Sequence, residues 1–77
     1  MSTRPEKHSV TLHGHRTSVS LERPFWDAFR ALATREDLPL NVLVAKIDDG
    51  RGDLGLASAI RLYVLADLQA QLSALKS

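Results

Sequence analysis

Apolar and polar residues alternate near the N-terminus of the chain, which is the pattern of a β-strand with one buried face. Val10 and Leu12 place apolar side chains at even positions, whereas Val19 and Leu21 place them at odd positions. A strand with one buried face accommodates such a change of parity only through a bulge or a turn. Gly14 is the natural position for either, so a bulged long strand and a hairpin around Gly14 both fit the sequence.

Beyond this segment, apolar residues recur with the period of an α-helix in three stretches. The first spans 23–35, with a proline in its first turn, and it ends ahead of Pro39 because the residue before a proline disfavours helix. The second, 40–47, is short and is stopped by the polar loop 48–53. The third, 56–76, is the longest and is apolar on more than one side, which predicts two neighbours.

The size of the chain bears on how it is stabilised. The first seven residues are polar, and we expect a disordered arm over 1–7 ahead of a single domain over 8–77. A domain this small buries only about 60% of the surface of its unfolded chain. The chain has no cysteine, which excludes disulfides and thiolate zinc sites. Association with a second copy is therefore the expected support.

The charge of the chain is small and unevenly distributed. The net charge is +1, with +2 on residues 1–21 and −1 on residues 22–77. This is a modest electrostatic footprint for a nucleic-acid binder. No apolar run approaches the ~20 residues of a membrane span and the N-terminal residues hold no hydrophobic signal core, so we expect a cytoplasmic protein. No motif suggests catalysis, and no enzyme is predicted.

Several segments together resemble a known family. They are residues 15–22, 25–26, 39–43 and 58–61. They are similar to a subfamily of short bacterial ribbon-helix-helix proteins, of the Arc/MetJ type, over roughly residues 8 to 68. The resemblance implies a mostly helical α+β fold, a ribbon-helix-helix with an additional long C-terminal helix. It also implies a homodimer in which strands of the two copies pair as an intersubunit antiparallel β-ribbon.

The resemblance places residues 17–21 in the ribbon strand, whose alternate side chains point to the core and to DNA. The predicted base contacts are the outward-facing Arg16, Ser18 and Ser20. The predicted phosphate contacts are Leu40 and Asn41, because the first amides of a helix have no partners within it. The predicted dimer core consists of four apolar residues: Val19, Leu21, Trp26 and Phe29.

Histidines raise the question of a metal. His13 and His15 would share one face of an unbroken strand, and a dimer would offer four imidazoles. The sequence provides no cysteine and no neighbouring carboxylate cluster. We therefore predict no metal and no cofactor, with His13 and His15 as the candidate ligands if one is bound.

The function predicted from these features is that of a dimeric DNA-binding protein, a transcriptional regulator that inserts its ribbon into the major groove. The ribbon, Arg16 and the start of the second helix favour this function. The alternative is a dimeric protein-interaction or ligand-sensing module of the same fold without tight DNA binding. The near-neutral charge and the serine-rich ribbon favour the alternative.

Overall fold

The structure, a computed structural model, describes residues 4–76. Two antiparallel strands are followed by three helices. The elements are β1 (Pro5–Leu12), β2 (His15–Glu22), α1 (Arg23–Arg35), α2 (Leu40–Gly50) and α3 (Leu56–Lys76). The three predicted helices are confirmed, and α2 continues three residues beyond its predicted end. None of these helices is long and apolar enough to cross a membrane.

The parity change is resolved by a tight hairpin. His13 and Gly14 form a two-residue turn in which both residues have positive φ, 50° and 78°. Two successive positive φ angles are typical of the turns whose twist matches that of the flanking strands. Leu12 lies opposite His15, and the pairing continues to Pro5 opposite Glu22. The chain therefore forms the hairpin, and the bulged long strand is excluded.

The hairpin corrects two expectations. The predicted arm is wrong for residues 5–7, which lie in β1, while residues 1–3 of that arm lie outside the described residues. The second correction concerns the expectation that β2 needs a partner strand from another copy, because β2 pairs with β1 of the same chain. The turn makes this pairing local, and the Trp26 indole N–H fastens β1 by donating to the carbonyl oxygen of Glu6 at 2.8 Å. Pairing between two copies stays a prediction.

The hydrophobic core lies between the inner face of the hairpin and the three helices. Among the described residues, every buried side chain is apolar. The four predicted dimer-core residues are all buried inside one chain, with 3% or less of their surface exposed: Val19, Leu21, Trp26 and Phe29. Their burial therefore needs no second copy.

A capping motif at the end of α1 sets the direction of α2. Asp37 has a φ of 56°, the left-handed conformation that often terminates helices. Its N–H donates to the Thr34 carbonyl at 3.1 Å, and the Leu38 N–H donates to the Ala33 carbonyl at 2.9 Å. These two bonds form a Schellman motif. Pro39 follows at once, so α2 starts in a new direction that brings it alongside the hairpin.

The outer side of α3 leaves apolar residues exposed. We define the α3 leucine face as Leu65, Leu68, Leu72 and Leu75, which are 47%, 49%, 53% and 83% exposed. Their spacing of three, four and three residues places them along one side of the helix. Ile60 and Val64 are buried in the core, and the α3 leucine face continues their stripe along the helix, since Leu68 lies one turn beyond Val64 and lines the same groove.

Candidate nucleic-acid interface

The outer surface of the hairpin is polar, and of its four residue pairs the three nearest the turn carry no carboxylate, whereas the fourth pairs Pro5 with Glu22. We define the ribbon face by the three pairs nearest the turn: Lys7 with Ser20, Ser9 with Ser18, and Thr11 with Arg16. The six side chains alternate with the buried Val10 and Val19, so they point away from the core. Two cations and four hydroxyl groups are thereby presented side by side.

The three residues predicted to contact bases all lie on the ribbon face. Arg16 and Ser18 are exposed, and Ser20 is half-buried. The face is also wider than the sequence interpretation allowed. The sequence interpretation did not include Lys7, because that residue was assigned to the arm. It did not include Ser9 and Thr11, because a bulged strand and a hairpin were both left open and the pairing with β2 was undefined. The signal that reveals them is the parity change across Gly14, which in a hairpin pairs odd residues of β1 with even residues of β2.

The start of α2 is joined to this face by a hydrogen bond. The Thr11 main-chain N–H donates to Asn41 Oδ1 at 3.0 Å, and Thr11 lies directly opposite Arg16. The N–H groups of Val42 and Leu43 both donate to the Pro39 carbonyl. The first turn of α2 is therefore formed next to the end of the ribbon face.

The two predicted phosphate contacts meet the same surface. Within residues 4–76, the main-chain N–H groups of Leu40 and Asn41 have no acceptor. They stand at the positive end of the α2 dipole, where an anion binds favourably. Two amide donors therefore lie beside the end of the ribbon face that carries Arg16.

At the opposite end of the ribbon face, α3 contributes a cation. Arg61 donates from Nε to Glu22 Oε1 at 2.9 Å and from Nη2 to Oε2 at 3.1 Å. These hydrogen bonds, with a main-chain one, hold the pKa of the Glu22 carboxyl below its usual value. Arg61 Nη2 also lies 3.5 Å from the carbonyl oxygen of Ser20. The Glu22 carboxylate at the end of β2 is thus paired with Arg61.

The two candidate histidine ligands are not brought together on one strand face. His13 lies in the turn, whereas His15 begins β2. The expectation that no carboxylates neighbour these histidines is wrong for His13, because the end of α2 brings up Asp48 and Asp49. His13 Nε2 lies 3.6 Å from Asp48 Oδ2 and 3.3 Å from Asp49 Oδ1. Sequence spacing could not show this contact, which depends on how α2 packs along the hairpin.

Comparisons with known proteins agree with this geometry. A family model described as a ribbon-helix-helix domain matches residues 5–68, which confirms the resemblance seen in the sequence. Proteins with this domain are generally DNA-binding regulators and are typically not enzymes. Among solved structures, the chain is similar to an uncharacterized protein from Bordetella pertussis Tohama I, with 29% identity and a TM-score of 0.80. The similarity covers 95% of this chain and 62% of that one, so the chain spans less than two thirds of that protein. No curated protein matches the chain.

Proposed function

The chain belongs to the ribbon-helix-helix domain family, and from that premise we propose that it is a homodimeric DNA-binding protein that regulates transcription in the bacterial cytoplasm. Each hairpin enters the major groove of double-stranded DNA with its ribbon face toward the bases. The observation that carries the proposal is the composition of that face. It presents Lys7, Arg16 and four hydroxyl groups without a carboxylate, beside two α2 amides that have no acceptor among the described residues.

The ribbon face and the two α2 amides have different roles in DNA binding. A two-stranded ribbon fits the major groove, which is about 12 Å wide. Arg16 can donate two hydrogen bonds to guanine, whereas Ser18 and Ser20 bond to several base edges with little discrimination. The Leu40 and Asn41 amides hold a backbone phosphate, which fixes how the hairpin lies in the groove. Lys7 adds a cation whose attraction to phosphate does not depend on sequence.

The α3 leucine face supports the dimer. Four leucines on one side of a helix, at spacings of three and four residues, form the type of seam through which helices associate. Only two charges lie in residues 65–76, and one of them, Asp67, is already paired with Arg35 at 2.5 Å. A neutral apolar face is complementary to itself, so a second copy is the occupant we propose.

A dimer joined in this way presents two complete hairpins. Because β2 is paired within its own chain, each subunit supplies a whole ribbon face to one half-site. A twofold axis between the α3 helices then predicts a twofold symmetric DNA site. The strand pairing between subunits that the sequence led us to expect is not needed for this arrangement.

The proposal is tested by selecting fragments bound from the source genome, at low and at physiological salt. Wild type is compared with Arg16→Ala and with Lys46→Ala, which removes an exposed cation from α2 away from the ribbon face. We expect wild type and Lys46→Ala to recover one palindromic motif at both salt concentrations, and Arg16→Ala to lose it. If wild type recovers no motif, the chain is instead a dimeric interaction or ligand-sensing module of the same fold.

A further inference from the structure

The tip of the hairpin and the end of α2 bring three metal-ligating groups together. We propose that His13, Asp48 and Asp49 bind a divalent transition-metal ion such as zinc or cobalt, at a site separate from the ribbon face. The donor atoms of these three residues all lie within 4.8 Å of one another. Elements distant in the sequence supply them, since the histidine belongs to the turn and the aspartates belong to the last turn of α2.

The spacing of the donors suits one ion. His13 Nε2 lies 3.6 Å from Asp48 Oδ2 and 3.3 Å from Asp49 Oδ1. Zinc binds imidazole nitrogen and carboxylate oxygen at about 2.0–2.2 Å, which places neighbouring donors about 3–4 Å apart. The two aspartate oxygens lie within 4.8 Å of each other, so the three donors need to approach by only about 1 Å or less to share one ion.

The backbone of the turn holds His13 in an unusual conformation. His13 has a φ of 50°, in the left-handed region where residues other than glycine are uncommon. The two-residue turns of this type strongly prefer asparagine, aspartate or glycine at that position. Residues held in such conformations are concentrated at functional sites. Here the unusual residue is the one whose imidazole reaches the two carboxylates.

The surroundings of the aspartates also favour a cation. Both lie at the C-terminal end of α2, where the helix dipole contributes partial negative charge. Arg51 Nε donates to Asp48 Oδ1 at 2.6 Å; its guanidinium offsets part of the carboxylate's charge, and its contribution is to orient the group with Oδ2 directed toward His13. Hydrogen bonds that orient a ligand in this way are a regular feature of metal sites.

The donor set determines the class of ion. One imidazole and two carboxylates without a thiolate suit zinc, cobalt, nickel or manganese in the divalent state, and they disfavour copper(I). Three protein ligands leave coordination positions for water. The bound ion would tie the hairpin turn to α2, two elements that otherwise meet here through the contacts of the His13 ring with the two aspartates.

The test is a titration of the untagged full chain with Co²⁺, followed by visible absorption, and with Zn²⁺, followed by calorimetry. His13→Asn removes the imidazole and keeps a residue that tolerates positive φ. Asp49→Asn removes one carboxylate from an exposed position. His15→Asn is the matched control, since it removes an exposed histidine that is not in the cluster. Circular dichroism establishes that each variant is folded.

We expect one ion per chain in wild type and in His15→Asn, with binding at least tenfold weaker in His13→Asn and in Asp49→Asn. Zn²⁺ should also shift the amide resonances of Gly14 and Gly50, which flank the site, more than those of Gly55. Absence of saturable binding in wild type would overturn the site. So would a loss in His15→Asn as large as in His13→Asn, or unchanged binding in both His13→Asn and Asp49→Asn.

Discussion

Thr11 donates its main-chain N–H to the side-chain oxygen of Asn41 across 3.0 Å, which joins the outer edge of β1 to the first turn of α2. Thr11 lies on an edge strand, where a main-chain N–H would otherwise donate to water, and the bond provides it with an acceptor in the protein. It also fixes the start of α2 next to the residue pair formed by Thr11 and Arg16. The proposed phosphate contact and the proposed base contact are therefore positioned by one hydrogen bond.

Substitution of Asn41 separates the structural role of this bond from DNA binding. Asn41→Asp keeps the acceptor for Thr11 and places a negative charge at the helix start, which stabilises a helix by about 0.3–1 kcal/mol. We expect its thermal midpoint to hold or rise while DNA affinity falls, because the carboxylate repels phosphate. Asn41→Ala should lose about 0.5–1.5 kcal/mol of stability. Full DNA affinity in Asn41→Asp would show that phosphate does not bind at the start of α2.

The two cations of the ribbon face should have distinguishable effects on DNA binding. Arg16→Ala is expected to cost about 1–3 kcal/mol and to flatten the preference at one position in each half-site. Lys7→Ala should weaken binding about equally on all sequences and reduce the salt slope by about one. Ser20→Ala should change little, because its short hydroxyl reaches a base through water if at all. These effects are measured as affinities for one defined site and for random DNA at several salt concentrations. If Arg16→Ala loses the same affinity on both DNAs, Arg16 does not read bases.

Much of the fold follows from local sequence signals. The helix period, Pro39 and the polar loop after Ile47 place the three helices within a few residues. The hairpin is different, because it depends on the φ angles of His13 and Gly14. A histidine is uncommon at that position, so the dipeptide gives a much weaker turn signal than Asn-Gly would.

Some residues of the candidate site also follow from local sequence signals, whereas others depend on the folded structure. Alternation along β2 was enough to place Arg16, Ser18 and Ser20 on the outer face. The contribution of β1 needed the register, which only the turn defines. The neighbours of His13 needed the packing of α2 against the hairpin, because His13 and Asp48 are too far apart in the sequence for any spacing rule to report their contact.

The α3 leucine face should control the oligomeric state without controlling the fold. Leu72 is 53% exposed in one chain, so Leu72→Glu should leave the core intact and shift the protein from dimer to folded monomer. Sedimentation equilibrium and circular dichroism measure the two effects. Val19→Asp is the contrasting variant and should unfold the chain, because it buries a charge in the core. A Leu72→Glu protein that stays dimeric would show that the copies meet elsewhere.

The ion pair between Glu22 and Arg61 predicts how stability depends on pH. Hydrogen bonds from Arg61 lower the pKa of the Glu22 carboxyl in the folded state, so the folded chain binds a proton there less readily than the unfolded chain. The stabilisation is complete above the carboxyl's unfolded-state pKa and is lost as pH falls through the lowered folded-state pKa. Denaturant unfolding of wild type and Glu22→Gln across the acid range measures this. The wild-type advantage should shrink toward zero as pH falls, and Arg61→Gln should show the same weaker dependence as Glu22→Gln. Wild-type and Glu22→Gln curves that stay parallel through the acid range would mean that the pair does not stabilise the junction of β2 with α3.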